Sequence, residues 1–121
     1  MGNRGSISVF GKDEESVVLF RHWEGDEEGM IKLVEKALKW KQPNTDYPDT
    51  GIEIFKKGEP SEIIALLTCI SVNEIGSSAY LGKSESDGDN SDNGHFQLIV
   101  ADGKITLFHN AKIVKEWKLG D

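Results

Sequence analysis

One cysteine, three prolines and no long apolar run are what this 121-residue chain has in those categories, and each shortage excludes something. Cys69 stands alone, so no intrachain disulfide forms. Its place in the run Ile63-Ile64-Ala65-Leu66-Leu67-Thr68-Cys69-Ile70 predicts a buried, inert thiol in a reducing cytoplasm. No run approaches the roughly twenty apolar residues of a membrane span, and the first residues lack the apolar stretch of a secretory signal. Positive charge is also scarce: 14 Lys and Arg stand against 21 Asp and Glu, a formal net charge of -7. Binding to nucleic acid draws its affinity from Lys and Arg displacing counterions, so free DNA or RNA is not an expected partner, and without an apolar span neither is a membrane. The charge suits a basic protein surface, a cationic ligand or a metal ion, and serves solubility in any case.

Catalytic signatures are missing as well. There is no Gly-x-Ser-x-Gly elbow, and Gly2, Gly5 and Gly11 are too scattered to form a phosphate loop. Gly25 does stand between a strand and a helix, but Asp26, Glu27 and Glu28 at that helix start would repel a phosphate. The opening Met1-Gly2-Asn3-Arg4-Gly5-Ser6 has the loose form of a myristoylation signal. No polybasic stretch follows to supply a second anchor, and the glycine leads directly into a predicted strand.

What is present is a pattern that changes period twice. Residues 5–10 and 16–20 alternate as a β-hairpin around a turn near Asp13. This alternation sets Arg4 opposite His22 beside Ser6 and Ser8, with Ile7, Val9, Val17, Leu19 and Trp23 on the other face. Met30, Leu33, Val34, Ala37 and Leu38 then make one helical stripe over residues 27–41, acidic at its start, basic at its end and stopped before Pro43. Residues 42–49 read as a turn-rich connection and 51–57 as a short helix. From Pro60 a second main helix follows, with Ile63, Leu66, Leu67 and Ile70 on one face and Ile64 and Val72 widening it.

Strand periodicity returns over 78–82, 94–101, 104–109 and 112–117, with Asp102-Gly103 as a tight turn and residues 109–111 as another. The expected fold is α+β: a two-layer sandwich of an N-terminal β-hairpin, two main helices and a C-terminal antiparallel meander, all in one domain over 1–121. Trp23 and Trp40 are expected to anchor the sheet to the first helix.

The polar stretch 84–94 begins like a calcium loop at Asp89, but Val100 stands where the bidentate glutamate is required, so a mobile linker dispensable for folding is expected. His22, His95 and His109 all fall near strand ends and could converge with carboxylates on a metal or an acid-base site. No His-x-His or His-x-x-x-His pair supports that, so no metal ligand and no cofactor are assigned. Ser6 and Ser8 share a predicted face with His22, yet no oxyanion hole accompanies them. The residues singled out for binding are Arg4, His22, Trp23 and Glu24. They bring a fixed cation, a titratable ring, a large aromatic surface and a carboxylate to one end of the hairpin. The competing reading puts Trp23 in the core and pairs Arg4 with Glu24.

Met1-Gly2-Asn3-Arg4-Gly5, His22-Trp23 with Gly25 close behind, and Asp92-Asn93-Gly94-His95-Phe96 resemble a loose group of small uncharacterised prokaryotic and phage proteins. Those proteins also open with Met-Gly-Asn-Arg and carry a His-Trp near the end of the second strand. The resemblance implies a prokaryotic or viral cytoplasmic setting and transfers no catalytic role. In size and acidity the chain is also similar to phage-encoded inhibitors of host defence. The expected function is a non-catalytic cytoplasmic binding protein with a protein partner first and a small ligand second. The alternatives are a small metal-dependent or acid-base enzyme on His22, His95 or His109, and a small-ligand sponge. Short edge strands allow pairing across a two-fold axis, so a monomer or a homodimer is expected.

Overall fold

The computed structural model describes residues 2–42 and 50–120, so the connection expected over 42–49 falls, except for its first residue, outside the described residues. The alternating N-terminal segment forms β1 (Gly5–Gly11), β2 (Glu14–Glu15) and β3 (Val18–Arg21). Lys12 and Asp13 turn between β1 and β2 with both φ angles positive, at 51° and 60°, as a two-residue hairpin of the I′ kind requires. Phe10 pairs with Glu15 but Ile7 with Leu19, so the register slips by one residue between β2 and β3, at Ser16 and Val17. That slip leaves Val17 exposed, where strict alternation had placed it in the core.

The stripe that begins at Met30 folds as α1 (Glu27–Lys39), capped by the Asp26 carboxylate, which accepts from Gly29 N–H. Next come the short α2 (Gly51–Lys57) and α3 (Pro60–Ile75), the latter started by Pro60 in its first turn. Ile63, Leu66 and Leu67 of α3 are buried, as expected, but Val72 and Cys69 are not. Both sit on the far side of a helix whose apolar residues run nearly all the way round, so the thiol is exposed rather than buried. A turn of 3-10 helix (Gly76–Ser78) leads to β4 (Ala79–Gly82). The meander β5 (His95–Ala101), β6 (Lys104–His109) and β7 (Lys112–Lys118) completes the chain.

The sheet runs β4-β3-β1-β5-β6-β7, with β2 paired to β1. Every junction is antiparallel except the central one, where β1 and β5 run parallel, Ile7 beside Phe96 and Val9 beside Leu98. The fold is therefore an α+β two-layer sandwich with the expected hairpin, helices and meander. Ile7, Val9, Leu19, Phe96, Leu98 and Leu107 face the helices and form the core with Met30, Leu33, Val34, Ile63 and Leu67. Burying such side chains supplies about 1.5–3 kcal/mol each. None of the described helices is long and apolar enough to cross a membrane.

Candidate functional site

Gly5 lies opposite Arg21 at the end of the β1–β3 ladder, and just beyond it Asn3 N–H donates to His22 O, so Arg4 and His22 flank that end on the side of the sheet away from the helices. Arg4 reaches the segment 83–94 and His22 reaches Tyr80 of β4, to which that segment is also bonded. Arg4 Nη1 is 3.3 Å from Asp89 Oδ2, so the pair with Glu24 does not form. His22 Nε2 is 2.9 Å from the Tyr80 hydroxyl and meets that ring edge-on. Asp89 N–H donates to the same hydroxyl at 3.0 Å. Hydrogen bonds from Ser91, and then the charges of Arg4 and His22, hold the Asp89 carboxyl below the usual range. The calcium-loop position thus already faces an arginine.

The polar segment is consequently tied down, contrary to the mobile linker expected. Asp87 Oδ2 accepts from Lys83 and Ser84 N–H, Arg4 N–H donates to Asp92 Oδ2, and Asn93 N–H donates to Arg4 O. The segment lies over Phe20, which is fully buried on the helix-free side. A Cβ at Gly88 would stand 2.7 Å from the Phe20 ring, so only glycine permits that approach. Composition did not reveal this, because the cover is made by backbone and hydrogen bonds rather than by apolar side chains.

Trp23 is 48% exposed and is not a core anchor, whereas Trp40 is partly buried against the core. The alternation of β3 ends at Arg21. After it Glu24 takes a φ of 53°, and Gly25 packs so closely on Gly5 that a Cβ on Gly5 would stand 2.1 Å from the Gly25 carbonyl oxygen. Arg21 occupies the core-facing position and is 1% exposed. Its Nη2 is 3.3 Å from Glu74 Oε1, while Nε and Nη1 have no partner. Burial lowers its pKa, with Glu74, Glu24 and Asp26 opposing. Lys36 completes the group by pairing with Glu74.

The three histidines do not meet. His22 contacts Tyr80. His109 stacks on Phe96 at 3.9 Å, on the helix side, with Nδ1 2.8 Å from Glu27 Oε2. His95 sits on the opposite side between two serines, Nδ1 2.7 Å from Ser6 Oγ and Nε2 3.0 Å from Ser8 Oγ. No three His, Cys, Asp or Glu among the described residues are grouped to hold a metal ion.

The serine–histidine cluster has one consistent hydrogen-bond direction. Ser8 Oγ–H donates to Glu15 Oε2 at 3.0 Å, because a carboxylate only accepts, and so Ser8 oxygen accepts from His95 Nε2–H. Nδ1 is then bare and accepts from Ser6 Oγ–H, whose oxygen accepts from Asn90 Nδ2–H at 2.9 Å. Burial lowers the His95 pKa, with Glu85 and Glu15 opposing, in keeping with a neutral ring. In form this is a hydroxyl poised against a base. Ser6 and Ser8 are 0% and 1% exposed, however, so no substrate carbonyl reaches either oxygen. The cluster fastens β1 to β5 and to the segment above them. Sequence alone paired these serines with His22, since a parallel β1–β5 contact leaves no local signal.

Beyond His95 the helix-free side opens into a cleft of about 610 Å³, lined by Glu85, His95, Gln97, Ile99, Phe108 and Asn110. No family model, curated protein or solved structure matches the chain.

Proposed function

We propose that this chain is a non-catalytic cytoplasmic binding protein, of viral or mobile-element origin, that engages a basic protein surface through Trp23 and Glu24. The observation that carries the reading is the exposure of Trp23. A large ring stands in solvent at the end of a rigid sheet, beside the acidic start of α1 at Asp26, Glu27 and Glu28. An aromatic anchor with an acidic rim suits a partner rich in Lys and Arg. Arg4 and His22 act behind it rather than as contact residues, Arg4 on Asp89 and His22 on the Tyr80 hydroxyl that Asp89 N–H also meets.

A Trp23→Ala protein should unfold within about 1 kcal/mol of wild type, because an exposed side chain is removed, and should lose its partner in chemical cross-linking from host cells. A loss of about 3–5 kcal/mol, the range of a buried tryptophan, or unchanged cross-links would overturn the reading. The small-ligand alternative is favoured by the cleft at His95, which combines the Phe108 ring with the Glu85 and Gln97 acceptors. Native mass spectrometry of protein from its own host separates the two, since a retained small molecule adds a discrete mass.

A further inference from the structure

We propose that β4 is the contact strand of a two-fold homodimer, in which two sheets join edge to edge and the two α3 helices pack beside the axis. The two edges of the sheet are built differently. β7 carries Lys112, Lys115 and Lys118 and a register irregularity opposite Leu107 and Phe108, devices that discourage strand pairing. β4 reads Ala79-Tyr80-Leu81-Gly82, with no charge, no proline and no irregularity in its ladder to β3.

The hydrogen-bond alternation decides which groups β4 leaves open. Ser6 N–H donates to Gly94 O, so Ser6 and Ser8 direct their backbone groups to β5, and Gly5 and Ile7 direct theirs to β3. Leu19 and Arg21 therefore turn towards β1, and Val18 and Phe20 towards β4. His22 N–H donating to Ser78 O continues the same alternation. Tyr80 and Gly82 are thus satisfied by β3, while Ala79 and Leu81 point their N–H and C=O away from the sheet.

A second copy supplies the complement. With Leu81 opposite Leu81 across the axis, the two leucines exchange a pair of backbone hydrogen bonds. Each Ala79 N–H then meets the Lys83 C=O of the other copy. Pairing stops there, because Lys83 N–H is already held by Asp87. This register keeps both helix layers on one side.

The same register brings opposite charges together. Lys83 of one copy comes beside Ala79 of the other, next to the end of α3, whose last turn holds no basic residue although its carbonyl end is negative. Lys83 itself pairs with no carboxylate among the described residues. Apolar surface lies alongside: Leu81 is 51% and Val72 48% exposed, and a groove of about 630 Å³ beside the edge is lined by Val17, Ile64, Ala65, Thr68 and Leu81. An extended peptide would fill the strand position alone. Only a partner with its own α3 also covers Val72 and Ala65.

Sedimentation equilibrium should give twice the 13.4 kDa chain mass. Leu81→Lys and Val72→Glu should each return the mass of one chain with an unchanged circular dichroism spectrum. Lys83→Glu should weaken association about tenfold through loss of the charge contact. Amide exchange at Ala79 and Leu81 should quicken on dilution. If Leu81→Lys fails to fold, Val72→Glu and the amide exchange decide the matter. A single-chain mass at high concentration overturns the proposal, as does a dimer unmoved by Val72→Glu. Ala79 and Leu81 amides protected only when a foreign protein is added would assign the edge to a different strand.

Discussion

On the helix side of the sheet Ile7, Val9, Leu19 and Phe96 meet α1 and α3 through apolar contact. On the other side Ser6, Ser8 and His95, from the same strands, sit in a closed chain of hydrogen bonds. Apolar burial is nearly indifferent to direction and scales with area, so the first side sets how stable the fold is. The hydrogen-bond chain tolerates one alignment only. A one-residue slip of β1 would turn Ser6 and Ser8 into the core and break every bond they make. The largest exception on each side is fully buried: Phe20 on the polar side and Arg21 on the apolar side.

Those two exceptions give the sharpest ways to break the comparison. Phe20→Ala should cost about 3–5 kcal/mol in urea unfolding, as much as a ring removed from the helix side. It should also speed amide exchange in 83–94, whose Gly88 rests on that ring. A small cost would mean that the polar segment does not act as a second core wall. Removing Glu74 leaves the Arg21 guanidinium buried without its nearest anion, so Glu74→Ala should cost about 3 kcal/mol, whereas Arg21→Met should be neutral or stabilising. Equal losses in both variants would show that the arginine itself supports the fold.

The smallest effect is the acid response of the polar side. Burial lowers the folded pKa of His95 below its ordinary 6.5, so the native state binds fewer protons than the unfolded chain. Its contribution is complete above pH 6.5 and is lost as pH falls through 6.5 towards the lowered folded value. Unfolding free energy measured against pH over that interval should fall for wild type and stay flatter for His95→Gln, by the share of at most one proton. Identical slopes would remove His95 from the account of acid sensitivity.

Much of the fold was legible because it is written in local period. The stripe from Met30 to Leu38, Pro60 at a helix start and Asp102-Gly103 between two alternating runs each depend on neighbours close in the chain. The candidate site was legible only in part. Hairpin alternation puts Arg4 and His22 on one face, and they reach neighbouring groups there, Arg4 at Asp89 and His22 at the Tyr80 hydroxyl that Asp89 N–H also meets. Trp23 was placed inward because the alternation was carried past Arg21, beyond the point where β3 stops. Arg21 itself was overlooked, since an arginine in a strand reads as exposed until a carboxylate from a helix more than fifty residues later stands beside it.

The sequence by itself determined the α+β class, the order of helices and strands, the hairpin turns and the acidic, single-thiol character of the chain. These follow from periodicity, backbone preference and charge, which act between residues near one another. Tertiary structure alone decided the parallel β1–β5 junction, the Ser6–His95–Ser8 chain, the cover over Phe20 and the outward position of Trp23. Each of these depends on segments far apart in sequence meeting at one register, and that register is selected by the simultaneous burial of one face and hydrogen bonding of the other.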